Sequence, residues 1–169
     1  MTPEERVRAG GVVLVFDAPN VPTKQLLALA KAAMHHGRAM RLLVPVTAHT
    51  EKLTHLRRVL GARYDATVVR KALEDAGIEI LPLDVETANA VTEHVCARFP
   101  TDEAWQDAKW RRLHGDVPRG AGNKPPATID WYTAALCPPG AIVVTDDTGV
   151  EYHGCQTMRS AALLNALST

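Results

Sequence analysis

A chain of 169 residues can bury one substantial core and has little room for two. Lys plus Arg equals Asp plus Glu at 19 each, so net charge points to no polyanionic or membrane partner, although a balanced total can hide a local basic surface. Cys96, Cys137 and Cys155 are odd in number, widely spaced and form no CxxC pair, which argues against a disulfide framework or a zinc knuckle and fits a reducing cytoplasm.

Residues 1–9 are charged and read as a flexible lead-in, with neither a signal peptide nor a spanning helix behind them. Gly11 to Asp17 is an unbroken apolar run ending on a carboxylate and a turn at Ala18-Pro19-Asn20, the pattern of a strand covered on both faces. Thr23 caps a helix to about Gly37 with Leu26, Leu27, Leu29, Ala30, Ala33 and Met34 on its apolar face. Arg41–Val44 is a second strand, and Pro45-Val46-Thr47 bends into a helix carrying Glu51, Lys52, Arg57 and Arg58 that stops near Gly61. A helix from Asp65 to Gly77, a strand Ile78–Leu83 and a helix opened by Asp84 or Thr87 and running to about Phe99 follow.

From 100 to 126 the pattern is a variable insert: one short helix, Asp102–Leu113, then a Gly/Pro-rich loop holding Arg119 and Lys124. Thr128 caps a helix Ile129–Leu136 with Asp130 in its first turn. Ala141–Thr145 is the second clean buried strand, ending on Asp146 and Asp147, and Met158–Leu167 is a last helix. Strands alternate with helices through connections too long for hairpins, so residues 1–169 are expected to form a single α/β domain, with a central, mostly parallel sheet and helices on both faces.

Parallel neighbours would bring the strand ends at Asp17 and at Asp146-Asp147 to one edge, and Glu51 and Asp130, each early in its helix, can lean over it. Four or five carboxylates there repel one another unless a cation joins them. Mg²⁺ or Mn²⁺ suits oxygen ligands, and no His or Cys pair has the spacing zinc needs; His35 and His36 are adjacent and diverge on a helix. Each acid also has a plainer use: Glu51 beside Lys52 suits a solvated face, Asp130 a helix dipole, Asp17 and Asp146 a turn.

The order of these motifs resembles the PIN domain nucleases, and within them the VapC-type toxins, over nearly the whole chain. Val15-Phe16-Asp17 looks like the family's first acidic strand end, Pro45-Val46-Thr47 with Glu51 like its second motif, and Ile78 to Asp84 like its central segment. Asp130 with Ala134-Ala135 matches an Asp opening a helix with paired alanines. Val143-Val144-Thr145-Asp146-Asp147 matches the strand ending Thr, any residue, Asp. The resemblance implies a Mg²⁺-dependent endoribonuclease, with Mn²⁺ as a substitute. In it Asp17, Glu51, Asp130 and Asp147 hold one or two ions and a metal-activated water attacks in line. It puts Asn20 in the polar role that many relatives give to a small hydroxyl residue shortly after the first Asp, and makes Thr145 the orienter of a ligand or phosphate, Asp146 an auxiliary acid, and Arg119 and Lys124 contacts to the RNA backbone. The partners it implies are RNA, a small cognate antitoxin and a second copy in a homodimer.

The alternative is a PIN-like module that binds RNA or protein without cutting, against which the four acids speak. A phosphatase of the aspartyl-phosphate kind wants Asp-x-Asp after the first strand, and Asp17-Ala18-Pro19 lacks the second acid. Trp105 and Trp110 are expected to pack, and the cysteines to serve as buried small hydrophobes.

Overall fold

Five short strands carry the architecture: β1 (Val13–Phe16), β2 (Arg41–Pro45), β3 (Ile78–Leu81), β4 (Ile142–Val144) and β5 (Gln156–Met158). In the computed structural model, which describes residues 1–36, 39–114, 129–147 and 155–168, they form one sheet in the order β3-β2-β1-β4-β5. Every neighbouring pair is parallel, so the expected mostly parallel sheet is parallel throughout. The helices are α1 (Pro3–Ala9), α2 (Thr23–His35), α3 (Val46–Leu60), α4 (Ala66–Asp75), α5 (Val85–Arg98), α6 (Asp102–His114), α7 (Ile129–Leu136) and α8 (Ser160–Leu167).

The central strands are apolar at every position because both faces are covered. Leu14, Phe16, Leu42, Val44, Ile142 and Val144 point to one face and meet Val7 of α1, Leu26 and Leu29 of α2 and Leu163 of α8. Val15, Leu43 and Val143 point to the other, where Cys137 and Ala141 close over them with Ala134 of α7. From β1 the chain steps outward through β2 to β3, then crosses back to place β4 and β5 on the far side of β1. The chain leaves β1 and β4 toward opposite sides of the sheet, so the carboxyl ends of these two strands are its topological switch point.

Two expectations need correction. Residues 1–9 are not a flexible lead-in. Thr2 and Glu5 form a capping box, with Thr2 Oγ1 accepting from the Glu5 N–H at 3.2 Å and Glu5 Oε2 accepting from the Thr2 N–H at 2.7 Å. The resulting helix buries Val7, and Arg6 donates to Gln156 Oε1 at 2.7 Å and to the Gly140 carbonyl. The last helix does not begin at Met158, because Gln156–Met158 pairs with β4 as the edge strand and the helix starts at Ser160.

Other boundaries moved by a few residues. Asp65 and Asp84 cap α4 and α5 through their side chains, whereas Thr23 is the first helical residue of α2 and Pro22 takes the cap position. Thr128 lies outside the described residues. Gly77 turns the chain from α4 into β3 at φ +74, with Met34 Sδ only 3.1 Å from where a Cβ would stand. The three cysteines are free; Cys137 is buried, Cys155 half-buried and Cys96 exposed, so only part of the expected burial holds. Trp105 packs on Phe99, with ring centroids 4.9 Å apart. Among the described residues no helix is long and apolar enough to cross a membrane.

Candidate active site at the carboxyl edge of the sheet

The ladder between β1 and β4 runs one residue beyond the strands. Phe16 is in register with Val144, and the Asp17 N–H donates to the Val144 carbonyl at 2.9 Å. Asp17 and Thr145 therefore stand side by side at the switch point, and the two-residue alternation puts both on the face of Val15 and Val143. Asp17 is 5% exposed and Thr145 3%, so the acid is buried at a strand end where water would otherwise solvate it. Thr145 Oγ1 donates to Asp17 Oδ2 at 2.7 Å, and Asn20 Nδ2 donates to the same oxygen at 2.7 Å. Such donors replace the lost hydration of a buried carboxylate and fix its orientation.

Asn20 arrives through the short 3-10 turn Ala18–Asn20, whose own N–H donates back to the Asp17 carbonyl at 3.0 Å. The same Thr145 hydroxyl accepts from the Asp147 N–H at 3.1 Å, so one oxygen ties the two acids together. Asp147 is half-buried beside it. Asp146 faces elsewhere: its Oδ1 accepts from the Ser160 N–H at 3.0 Å and its Oδ2 from Ser160 Oγ at 2.7 Å, while Arg159 donates to its carbonyl. That is a cap on α8, with Ser160 braced in turn by Gln25 Nε2 at 2.8 Å.

Helix α3 leaves directly from the end of β2 and packs against the Ala18–Asn20 turn and α7. Its Glu51 is exposed and lines an open groove of about 470 Å³ that has Asn20 at one end and Thr50, Thr54, His55 and Arg58 along the helix. Glu51 thus approaches the acidic edge through Asn20. Thr47 of α3 and Thr133 of α7 share a buried 2.7 Å hydrogen bond that clamps the two helices.

Next to Glu51 lies a residue that sequence reasoning missed. Lys52 is 7% exposed, and its Nζ donates to the Val21 carbonyl at 2.9 Å, which pins α3 to the residue that ends the Asn20 turn. Burial holds its ammonium below the ordinary lysine value. Nothing in a Glu-Lys pair on a charged helix marks the lysine as the inward one. His49, one turn before Leu53, is also buried, and desolvation lowers its pKa from the ordinary 6.5.

Helix α7 feeds β4 and, as a crossover helix in a parallel sheet, begins at the carboxyl edge. Asp130 is its second residue; the side chain lies outside the described part of the structure, as do Arg119 and Lys124 entirely. Among the described residues no three His, Cys, Asp or Glu side chains gather as a metal-holding group, so Asp17, Glu51 and Asp147 are not such a set by themselves. The oxygens that meet at the edge are those of the Asp17 carboxylate and the Thr145 hydroxyl, with Asp147 beside them, the chemistry a hard divalent cation takes, while Asn20 turns its amide nitrogen to Asp17. Cys137, under the same face, is no competing ligand, since burial, Cys155 and the Asp17 charge all push its thiol up.

No family model matches the chain, and no curated protein or solved structure matches it. The edge therefore has to be judged on its own chemistry. It brings Asp17, Asn20, Thr145 and Asp147 into one hydrogen-bonded unit, sets Glu51 beside it across a groove, and turns Asp146 away.

Proposed function

We propose that this chain is a metal-dependent endoribonuclease of the PIN type, with its active site at the carboxyl edge between β1 and β4. The observation that carries this reading is the 2.7 Å hydrogen bond from Thr145 to the buried Asp17 carboxylate. A carboxylate held at a topological switch point, where open α/β sheets place their ligands, is set up for chemistry more than for packing. The sequence resemblance supports the same choice of acids.

On this reading Asp17 and Asp147, joined by Asp130 from α7 and Glu51 from α3, hold Mg²⁺, with Mn²⁺ as a substitute. When bound, the cation lowers the pKa of a water and stabilises charge on the phosphate and the leaving oxygen. The chain's own residues supply the preorganisation. Thr145 fixes the Asp17 carboxylate and the Asp147 backbone together, Asn20 holds the same carboxylate from the other side, and Lys52 holds the turn that presents Asn20. Arg119 and Lys124 complete the proposal as backbone contacts to RNA. The biological role proposed is the toxin of a toxin-antitoxin pair in the cytoplasm, acting as a homodimer and neutralised by a small antitoxin that covers the acidic edge.

Purified protein incubated with total cellular RNA tests this directly. Discrete fragments in Mg²⁺ or Mn²⁺ and none in EDTA are expected. RNA left intact under all three conditions would favour the non-cutting binding module. Growth arrest on expression of the chain alone, relieved by a small protein encoded beside it, is the result expected of a toxin.

A further inference from the structure

The groove beside the acidic edge has a charge pattern that the acids alone do not explain. Along α3, Glu51, Thr54, His55 and Arg58 stand at spacings of three and four, so they share one helix face. The acid lies at the Asn20 end, and the two basic side chains lie beyond it. Seven helical residues span roughly 10 Å, which separates Arg58 from the acidic edge by more than a single phosphate group.

Several other basic side chains on the surface are engaged locally. Arg41 pairs with Glu79 at 2.7 Å, Arg70 with Glu74 at 3.5 Å and Lys71 with Asp75 at 3.3 Å. Arg57, next in the chain to Arg58, lies over the Tyr64 ring at 5.6 Å. Arg58 and His55 have no carboxylate partner among the described residues, although both line a groove. The groove's hydroxyls are already spent as donors: Thr50 Oγ1 donates to the Val46 carbonyl at 2.8 Å and Thr54 Oγ1 to the Thr50 carbonyl at 2.9 Å. What they offer outward is lone pairs, which accept from a ribose 2′-hydroxyl and have nothing to give a phosphate oxygen.

We propose that this groove is a substrate subsite that seats the sugar-phosphate backbone of single-stranded RNA beside the cleavage site, with Arg58 and His55 on a neighbouring phosphate and Thr50 and Thr54 facing ribose. This rests on the nuclease reading for its purpose, but binding is measurable without cleavage. The test is the affinity of a short labelled oligoribonucleotide in EDTA across a series of salt concentrations, for wild type, Arg58→Gln and Arg70→Gln. Arg70 is the control because it carries the same charge on α4 and does not line the groove.

Loss of one phosphate contact lowers the slope of log affinity against log salt by about 0.7 for a single strand, so Arg58→Gln is expected to show that drop and Arg70→Gln the wild-type slope. An unchanged slope in Arg58→Gln, or an equal fall in both variants, overturns the subsite. Wild type is expected to bind RNA more tightly than DNA of the same sequence, with the preference reduced in Thr54→Val; equal affinities for the two overturn the ribose assignment. Failure of the nuclease reading looks different: RNA stays intact in Mg²⁺ while the Arg58-dependent slope persists.

Discussion

Replacing Thr145 by Val removes one hydroxyl and almost no volume, so its effect isolates the contact on which the site is built. Thr145 is 3% exposed and donates at 2.7 Å to a carboxylate that is itself 5% exposed, so water cannot substitute. A hydrogen bond to a charged group contributes about 1.5–3 kcal/mol, and for a chain of this size each kcal/mol moves the melting temperature by about 2–4 °C. The expected loss is therefore about 3–12 °C. The second bond of the hydroxyl, from the Asp147 N–H at 3.1 Å, adds little because Asp147 is only half-buried. Thr145→Ser keeps the donor and should recover most of the difference. In an Asp17→Asn background the partner is neutral, so Thr145→Val should cost about 1 kcal/mol less than in wild type. Thermal and urea unfolding of the five proteins, wild type, the two Thr145 variants, Asp17→Asn and the Asp17→Asn/Thr145→Val double variant, measures all of this. A Thr145→Val variant within about 0.5 kcal/mol of wild type, or a Ser variant as unstable as Val, would refute the assignment.

Asp146→Ala should lose about 1–2 kcal/mol of stability in urea unfolding, because one of its oxygens accepts from the first N–H of α8 and the other from the Ser160 hydroxyl, and should still cleave RNA. His49 gives a pH dependence of definite sign. Its folded pKa lies below the ordinary 6.5, so on acidification the unfolded chain takes the proton first. Its contribution is complete above pH 6.5 and is lost as pH falls from there through the folded value; a His49→Gln variant should lack that part of the decline when unfolding is followed against pH. Gly77→Ala should cost about 1–2 kcal/mol, since a side chain at φ +74 is strained and meets Met34. In a thiol-labelling time course on native protein, exposed Cys96 should react first and Cys137 last, because burial and nearby negative charge disfavour the Cys137 thiolate.

The strands that bury both faces were legible because composition alone marks them: Val13–Phe16 and Ile142–Val144 have no polar residue to place. The edge strand Gln156–Met158 was not, since an edge strand needs few apolar positions and here only Met158 is buried. The first helix has a readable signal in Thr2-x-x-Glu5, but its apolar stripe amounts to Val7, too little to mark a packed helix in the sequence. At the site, the sequence placed acids at two strand ends but not their partners. That Thr145 donates to Asp17 follows from the β1–β4 register, and register is fixed by sheet order, which residues 18–141 determine only once folded. Lys52 was illegible for a related reason: helix α3 buries Thr47, Ala48, His49 and Lys52, a face chosen by its packing against the Asn20 turn and α7 and not by an apolar stripe.

The central claim is that Asp17 is a catalytic carboxylate and not a structural one, and the rate of RNA cleavage in Mg²⁺ by Asp17→Asn, beside its urea stability, tests it most directly. Asparagine keeps the side chain's shape and a carbonyl oxygen to accept from Thr145, but cannot supply the charge a divalent cation needs. The account predicts a folded protein whose cleavage rate has fallen by more than about 100-fold. A folded Asp17→Asn protein that cuts RNA as fast as wild type would contradict it.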